Sequence, residues 1–239
     1  MSDDMETFIQ AQPATQDRPL QGMTVLVVED SRFASEAIRL LCLRSGARIR
    51  RADSLAAAHR HLRVYRPSIV IVDMGLPDGS GAELIEELSK ELVRVPVLLA
   101  MSGDDGAEDA ALAAGADGFM AKPVESLAVF QQAILAQLPA AEGPPGPRSL
   151  PSDMVQPDRM AYRDDLVHVA EMMRDKVDSK TQDYLAQFLG GLARSAHDDG
   201  LEAAATSLAQ ARAEGRMTRS DLARVAGMLE ERLAERRSI

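Results

Sequence analysis

The first 140 residues alternate between short apolar runs and stretches with apolar residues at helical spacing. The apolar runs predict strands at 24–28, 69–72, 95–101 and 118–121, and residues 48–52, with few apolar side chains, predict a short strand suited to a sheet edge. The stretches between and after them predict helices near 32–45, 55–66, 80–91, 107–114 and 126–138. Because parallel strands need crossover helices, this alternation predicts an α/β domain with a five-stranded parallel sheet covered on both faces.

The pattern changes after this domain. Residues 139–151 contain five prolines and predict an extended linker, and residues 152–239 carry only helical periodicity. Four amphipathic helices there predict a small all-α module with thin, alanine-rich faces, for which a dimer would bury further apolar surface. The polar, acidic stretch 1–21 predicts a disordered leader. The expected domains are therefore 1–21, 22–138, 139–151 and 152–239.

Composition narrows the class of protein. The formal net charge of -10 argues against a surface that binds nucleic acid over the whole molecule. The single cysteine, Cys42, forms no internal disulfide and no cysteine-based zinc site, which fits a reducing cytoplasm. No apolar run reaches the ~18–20 residues that a membrane span requires. We expect a cytoplasmic protein without a membrane segment.

Polar residues follow the predicted strands where each one ends. The first strand runs into Glu29 and Asp30, the third into Asp73, the fourth into Ser102, and the fifth into Lys122. Because the carboxyl ends of parallel strands share one edge of the sheet, these side chains are expected to meet. Three crowded carboxylates favour a hard divalent cation, Mg²⁺ in a cell. A lysine and a hydroxyl beside them suit a phosphoryl group, with Asp73 as the nucleophile.

This set of residues resembles the receiver domain of two-component response regulators over about residues 22–138. The resemblance rests on the residues at the predicted strand ends and on the loop after the third strand, namely Glu29-Asp30, Asp73, residues 74–81, Ser102 and Lys122-Pro123. It implies the flavodoxin-like strand order 2-1-3-4-5. It also implies that Asp73 accepts phosphate from a histidine kinase or a phosphotransfer protein. Catalysis by the chain would then be limited to its own phosphorylation and dephosphorylation.

The resemblance also implies roles for individual residues. Glu29, Asp30, Asp73 and the backbone carbonyl of Gly75 would bind Mg²⁺. Ser102 and Lys122 would hold the phosphoryl oxygens, and Phe119 and Pro123 would take part in the conformational switch, with a cis peptide bond before Pro123. Phosphorylation would act by population shift on the loop after the fourth strand and on the face formed by the fourth helix, fifth strand and fifth helix. That face would then change its contact with the tail or with a partner.

The helical tail leaves the output open. An interaction or dimerisation module, with a protein partner or a second copy, is the first expectation. A transcription regulator is the alternative, since Ala223 and Gly227 have the spacing found in a helix-turn-helix. A receiver-linked phosphatase or phosphotransfer protein is the third. His197 is the candidate for phosphotransfer. The candidates for hydrolysis are two acid–amide pairs with the spacing that a class of receiver phosphatases uses to place water, Asp178 with Gln182 and Asp183 with Gln187.

Overall fold

The computed structural model describes residues 13–104, 106–139, 144, 149–174 and 178–234. The strands are β1 (Thr24–Val28), β2 (Arg48–Ala52), β3 (Ile69–Asp73), β4 (Gly75–Leu76), β5 (Gly79–Ser80), β6 (Val97–Ser102) and β7 (Gly118–Ala121). The helices are α1 (Arg32–Ser45), α2 (Leu55–Leu62), α3 (Gly81–Ser89), α4 (Ala107–Ala114), α5 (Leu127–Leu135), α6 (Arg159–Met172), α7 (Ser179–Ser195), α8 (Asp199–Ala213) and α9 (Arg219–Ala234). None of these helices is long and apolar enough to cross a bilayer.

The main sheet has the order β2-β1-β3-β6-β7, and every pairing in it is parallel. This confirms the predicted flavodoxin-like order. The central strands are buried on both faces, since β3 and β6 are buried along their whole length. The edge strand β2 instead exposes Arg48, Arg50 and Arg51, which blunts an edge that would otherwise pair with another chain. The short antiparallel hairpin β4–β5 lies just after β3.

Local chemistry explains where the helices begin. Ser31, Ser54, Ser80 and Ser126 cap α1, α2, α3 and α5, each with its side chain accepting a backbone N–H. Gly46 ends α1 in the left-handed conformation that glycine adopts without strain. Asp78 in the hairpin turn accepts the N–H groups of Leu55 and Ala56 at 2.9 Å, which ties the loop after β3 to the start of α2.

The tail forms a four-helix bundle with a core of its own. This core contains Leu166, Leu185, Leu189, Leu208 and Leu229, so each of the four helices contributes. Phe33 of α1 joins the same core and is 7% exposed. The receiver half thus supplies apolar surface that the thin bundle lacks. The sequence analysis expected a second copy of the chain to supply such a surface.

Part of the predicted disordered leader is ordered. Residues 1–12 lie outside the described residues, but Leu20 is fully buried in the core on the α1–α5 side of the sheet. Its N–H donates to the carbonyl of Ser45 at 2.9 Å. The prediction of disorder for 1–21 was therefore wrong at Leu20. Burial of this single apolar side chain in the hydrophobic core orders the polar segment around it.

The predicted boundary between linker and tail also differs from the structure. Most of 139–151 lies outside the described residues. Residues 153–155 are extended rather than helical and pair with the start of α5, where Leu127 donates its N–H to Asp153 and Val155 donates to Glu125. Val155 is 1% exposed and belongs to the sheet domain's core. The helical region therefore begins at Arg159, since Pro157 follows and Asp158 caps α6.

The bundle docks on the side of the receiver formed by α1 and the hairpin. Its main contacts are those of α6 and α7 with α1 and that of α7 with the hairpin strand β4. The prediction that the face formed by α4, β7 and α5 changes its contact with the tail or with a partner on phosphorylation stays a prediction. The shared core residue Phe33 explains the observed choice, because it places the bundle beside the carboxyl edge of the sheet.

Candidate functional site

The carboxyl edge of the sheet gathers the residues that the sequence singled out. Glu29 and Asp30 follow β1, Asp73 ends β3, Ser102 ends β6 and Lys122 follows β7. The register brings neighbouring strand ends level, with Asp73 beside Met101 and Ser102 beside Ala121. All five side chains line one cleft of about 730 Å³.

The carboxylates lie close together and mostly out of solvent. One oxygen each of Glu29, Asp30 and Asp73 lies within 4.8 Å of the other two. The ammonium of Lys122 is 2.6 Å from Glu29 Oε2 and 2.9 Å from Asp73 Oδ2. Glu29, Asp73, Ser102 and Lys122 are all less than 9% exposed. Three acids against one lysine leave an excess of negative charge in this pocket.

That crowding shifts the proton equilibria of the pocket. Burial raises the pKa of Glu29 well above its usual value, with Lys122 opposing the rise and the charges of Asp73 and Asp30 adding to it. Burial, with the charge of Asp73, raises the pKa of Asp30 to about 6. Burial by itself lowers the pKa of Lys122, but the charges of Asp73 and Glu29 outweigh burial and raise it. The lysine therefore stays charged.

The donor set fits a hard divalent cation. All three side chains offer carboxylate oxygens, which Mg²⁺ and Ca²⁺ prefer. A bound cation would offset the mutual repulsion of the three carboxylates and the cost of burying their charges, because Lys122 alone leaves the pocket negative. Gly75 lines the same cleft, and the role of its backbone carbonyl as a ligand stays a prediction.

The remaining predicted residues lie around the pocket. The hydroxyl oxygen of Ser102 accepts the N–H of Asp104 at 3.0 Å, which orients the side chain. The peptide bond between Lys122 and Pro123 is cis, as the resemblance implied. Phe119 is half-buried on β7 and packs against the core on the α3–α4 side of the sheet. The switch role of Phe119 and Pro123 stays a prediction.

Helix α7 of the tail forms the far wall of the cleft. The hydroxyl of Tyr184 donates to Asp30 Oδ2. A Cβ added to Gly103 would lie 3.3 Å from Gly191 Cα, so two glycines let the loop after β6 approach the helix backbone closely. Gln187 lies against Gly75 and lines the cleft together with Asp73. The tail therefore covers the acidic pocket directly.

Asp165 of α6 anchors the bundle beside the pocket. It is 2% exposed and accepts hydrogen bonds from the Ser31 hydroxyl at 2.8 Å and from the N–H groups of Arg32 and Phe33 at 2.9 and 3.0 Å. These groups are the first turn of α1, whose positive dipole end favours a carboxylate. Burial raises the pKa of Asp165, and the hydrogen bonds from Phe33, Arg32 and Ser31 oppose that rise.

Sequence reasoning missed two of these contacts and noted a third only as an alternative. Asp165 and Tyr184 sit within helical periodicity, and no spacing signal marks them. Gln187 was identified by its spacing from Asp183. His197, the phosphotransfer candidate, contacts Glu125 at 3.1 Å and is not among the residues that line the cleft. Ala223 and Gly227 both lie within the single helix α9.

Comparison with known proteins agrees with the fold. Residues 25–134 match the family model of the response regulator receiver domain. The chain is 32% identical over 139 residues to the probable transcriptional regulatory protein TcrX of Mycobacterium tuberculosis, covering 56% of this chain and 59% of that protein. It is 35% identical over 100 residues to the KDP operon transcriptional regulatory protein KdpE of Escherichia coli, covering 41% of this chain and 44% of that protein. The chain thus spans about half the length of these relatives.

Part of the chain is also similar to solved structures. A putative response regulator from Chloroflexus aurantiacus is 30% identical, with a TM-score of 0.44 over 48% of this chain and 98% of that one. The receiver domain of sensor histidine kinase PA1611 from Pseudomonas aeruginosa, which has a magnesium ion coordinated in its active site cleft, is 24% identical. Its TM-score is 0.44 over 48% of this chain and 97% of that one.

The relatives bear on two expectations. TcrX and KdpE are named transcriptional regulatory proteins, so the argument from net charge against a nucleic-acid partner finds no support in them. The receiver fold, the family model over 25–134 and the response regulator relatives agree on the class. Residues 25–134 of the chain therefore match the receiver domain of response regulators, and the helices α6 to α9 follow that domain.

Proposed function

We propose that Asp73 is the phosphoacceptor of this response regulator and that its phosphorylation changes how the helical tail contacts the receiver. The observation that carries the proposal is the pairing of Asp73 with Lys122 at 2.9 Å inside a buried acidic cleft. The donor is a histidine kinase or a phosphotransfer protein in the cytoplasm.

The residues of the cleft have separate parts in the transfer. A carboxylate oxygen of Asp73 attacks the phosphorus of the donor, and the bond from phosphorus to the donor breaks. The Lys122 ammonium, already beside Asp73, pairs with a phosphoryl oxygen, and Ser102 donates a hydrogen bond to another. Glu29, Asp30, Asp73 and the Gly75 carbonyl would hold Mg²⁺, which when bound offsets negative charge on the phosphoryl group.

The position of α7 supports the link to the tail. A phosphoryl group carries about -1.5 to -2 charges at neutral pH, which replace the single negative charge of the Asp73 carboxylate. At Asp73 this charge enters the cleft whose far wall is α7, with Gln187 and Arg194 facing it. Phosphorylation therefore acts on the tail across the cleft, and the change in docking is the output that a partner protein reads.

The experiment treats the full chain with Mg²⁺ and a small acyl-phosphate donor and follows the intact mass. We expect one phosphoryl adduct on the wild type and none on Asp73→Asn, which keeps the shape of the side chain but is not a nucleophile. Asp109→Asn, an exposed acid on α4, is the matched control and retains the adduct. An adduct that persists in Asp73→Asn, or a wild type that takes none, contradicts the proposal.

A role in transcription is the second candidate, favoured by the names of the relatives. It predicts tight DNA binding by the phosphorylated full chain that weakens steeply as salt rises. Binding that is weak and indifferent to phosphorylation assigns the tail to protein contacts instead. Light-scattering mass with and without the donor decides whether one of those contacts is with a second copy of the chain.

A further inference from the structure

The two acid–amide pairs of α7 have different surroundings. Asp178 caps α7 by accepting the N–H of Thr181 at 2.8 Å, and Gln182 accepts the hydroxyl of Thr218 at 2.8 Å. In the first pair, Asp178 therefore caps its own helix, and Gln182 joins α7 to the residue before α9. Neither lines the cleft that contains Asp73. The second pair, Asp183 and Gln187, lines the cleft that contains Asp73.

Gln187 occupies the space that a side chain at position 75 would take. A Cβ built on Gly75 would lie 2.2 Å from Gln187 Nε2 and 2.8 Å from Gln187 Oε1. Those distances are far below contact, so the amide fills the volume left by the missing side chain. Gly75 lies two residues after Asp73, and both line the cleft. The tail thus delivers an amide to the cleft that contains Asp73, beside the residue two positions after it.

Several contacts fix the position of that amide. One turn before Gln187, Asp183 accepts two hydrogen bonds from Arg212 of α8, at 2.7 and 3.0 Å. Tyr184 bonds to Asp30 in the pocket itself. One turn after Gln187, Gly191 packs against Gly103. The register of α7 over the cleft is therefore set on both sides of Gln187, as a positioning role requires.

We propose that Gln187 holds the water that hydrolyses the acyl phosphate at Asp73, so that the tail is a hydrolytic element acting on its own receiver. This inference rests on the proposed function, because it requires the phosphoryl group at Asp73. The helical tail then limits the lifetime of the signal as well as receiving it.

The chemistry suits an amide. The water oxygen attacks phosphorus in line with the bond to Asp73, that bond breaks, and its electron pair returns to the Asp73 carboxylate. The proton lost by the water goes to the departing phosphate. A glutamine amide has a carbonyl oxygen that accepts hydrogen bonds and an NH2 group that donates two, so it orients water without taking a proton. Lys122 meanwhile pairs with the carboxylate as it regains its charge.

The test loads the full chain with phosphate from a small acyl-phosphate donor and Mg²⁺, removes the donor, and follows loss of the adduct by intact mass. We expect Gln187→Ala to slow that loss by about 10- to 100-fold, since the water is no longer oriented. Gln182→Ala is the matched control, because Gln182 lies five residues earlier on the same helix and does not line the cleft, and it is expected to stay within about twofold of wild type. Loss of the adduct from Gln187→Ala at the wild-type rate overturns the inference.

A second readout separates the amide from docking. Hydrogen exchange of α7 in Gln187→Ala is expected to match the wild type, because docking rests on Asp165, Tyr184 and Gly191. If the slower hydrolysis comes with loss of protection in α7, docking rather than the amide is responsible and the inference falls. If no variant takes phosphate at all, the proposed function itself has failed, which is a distinct result.

A third variant tests the contact from the other side. In Gly75→Ala the added Cβ displaces the Gln187 amide, so hydrolysis is expected to slow in the wild-type background. In the Gln187→Ala background the same change is expected to have little further effect, because there is no amide left to displace. Equal slowing in both backgrounds means that Gly75 acts independently of Gln187 and contradicts the inference.

Discussion

The acidic pocket and the helix that covers it are built on different principles. Glu29, Asp73 and Lys122 meet because each follows a strand, and the parallel topology brings all strand ends to one edge. Asp165, Tyr184 and Gln187 meet the same pocket because a separate bundle packs against α1. The first arrangement is local to the fold of the sheet, whereas the second depends on docking. The pocket is therefore expected to survive changes that release the bundle.

Asp165→Ala is the substitution with the largest expected effect on docking of the bundle. The change leaves the Ser31 hydroxyl and two backbone N–H groups of α1 without their buried acceptor. We expect docking to lose about 3 kcal/mol, because each unsatisfied buried donor is costly. Hydrogen exchange should show α6 and α7 less protected while β1 and β3 keep their protection.

Asp164→Ala is the matched control for Asp165→Ala. The neighbouring Asp164 pairs with Arg32 at 2.8 Å on the surface, where both side chains are at least 46% exposed. An exposed pair of this kind contributes about 0.5 kcal/mol. Equal losses in the two variants mean that Asp165 is not the anchor. Loss of protection in β1 and β3 means that the pocket depends on the bundle.

The next effect concerns the close approach of α7 to the loop after β6. Gly103→Leu adds a side chain 3.3 Å from Gly191 Cα, and we expect it to weaken docking by about 2 kcal/mol through overpacking. In contrast, a Cβ added to Gly191 meets nothing within 4 Å. Gly191→Ala is therefore expected to stabilise α7 by about 1 kcal/mol, the usual gain for Gly→Ala inside a helix.

Urea unfolding and hydrogen exchange of α7 measure both glycine variants. The informative result is that the two substitutions, on glycines that face each other, change stability in opposite directions. If Gly103→Leu leaves the protection of α7 unchanged, the helix does not pack against this loop in solution.

The smallest effect lies inside the bundle, at a residue that does not line the pocket. Asp198 accepts hydrogen bonds from Arg232, from the Tyr162 hydroxyl at 2.8 Å and from the N–H of Leu201 at 3.1 Å. The hydrogen bonds from Arg232 lower the pKa of Asp198 to about 2, against a partial opposing effect of burial. We expect Asp198→Asn to reduce the free energy of unfolding at pH 7 by about 1 kcal/mol.

The pH dependence of that loss follows from the direction of the shift. The folded pKa of Asp198 lies below the unfolded value of about 3.9, so its contribution is present above pH 4 and is lost as the pH falls towards 2. The difference between wild type and Asp198→Asn should therefore shrink over that range in urea unfolding experiments. The exposed Asp199 gives the control, since Asp199→Asn removes only a dipole interaction of about 0.5 kcal/mol. A difference that stays constant with pH means that the ion pair is not responsible.

The sequence predicted the sheet and its pocket because both depend on local pattern. Apolar runs fixed the strands, and the first polar residue after each run had to lie at the carboxyl edge. The contacts of the tail were not predictable in this way. Asp165 accepts a hydrogen bond from Ser31 at the start of α1, 134 positions earlier in the chain. The sequence around Asp165 does not distinguish it from an exposed acidic residue on a helix. Leu20 illustrates the same limit, since its site is built by α1 and α5.

The segment at residues 153–155 has a consequence for how the bundle moves. It pairs with the start of α5 and buries Val155, so the chain is attached to the receiver again just before α6 begins at Arg159. Three residues, 156–158, then connect that attachment to the bundle and span at most about 11 Å. A tether this short keeps the local concentration of α7 near the cleft at roughly millimolar or above. Release and return of the bundle are therefore intramolecular steps, independent of how much protein the cell contains.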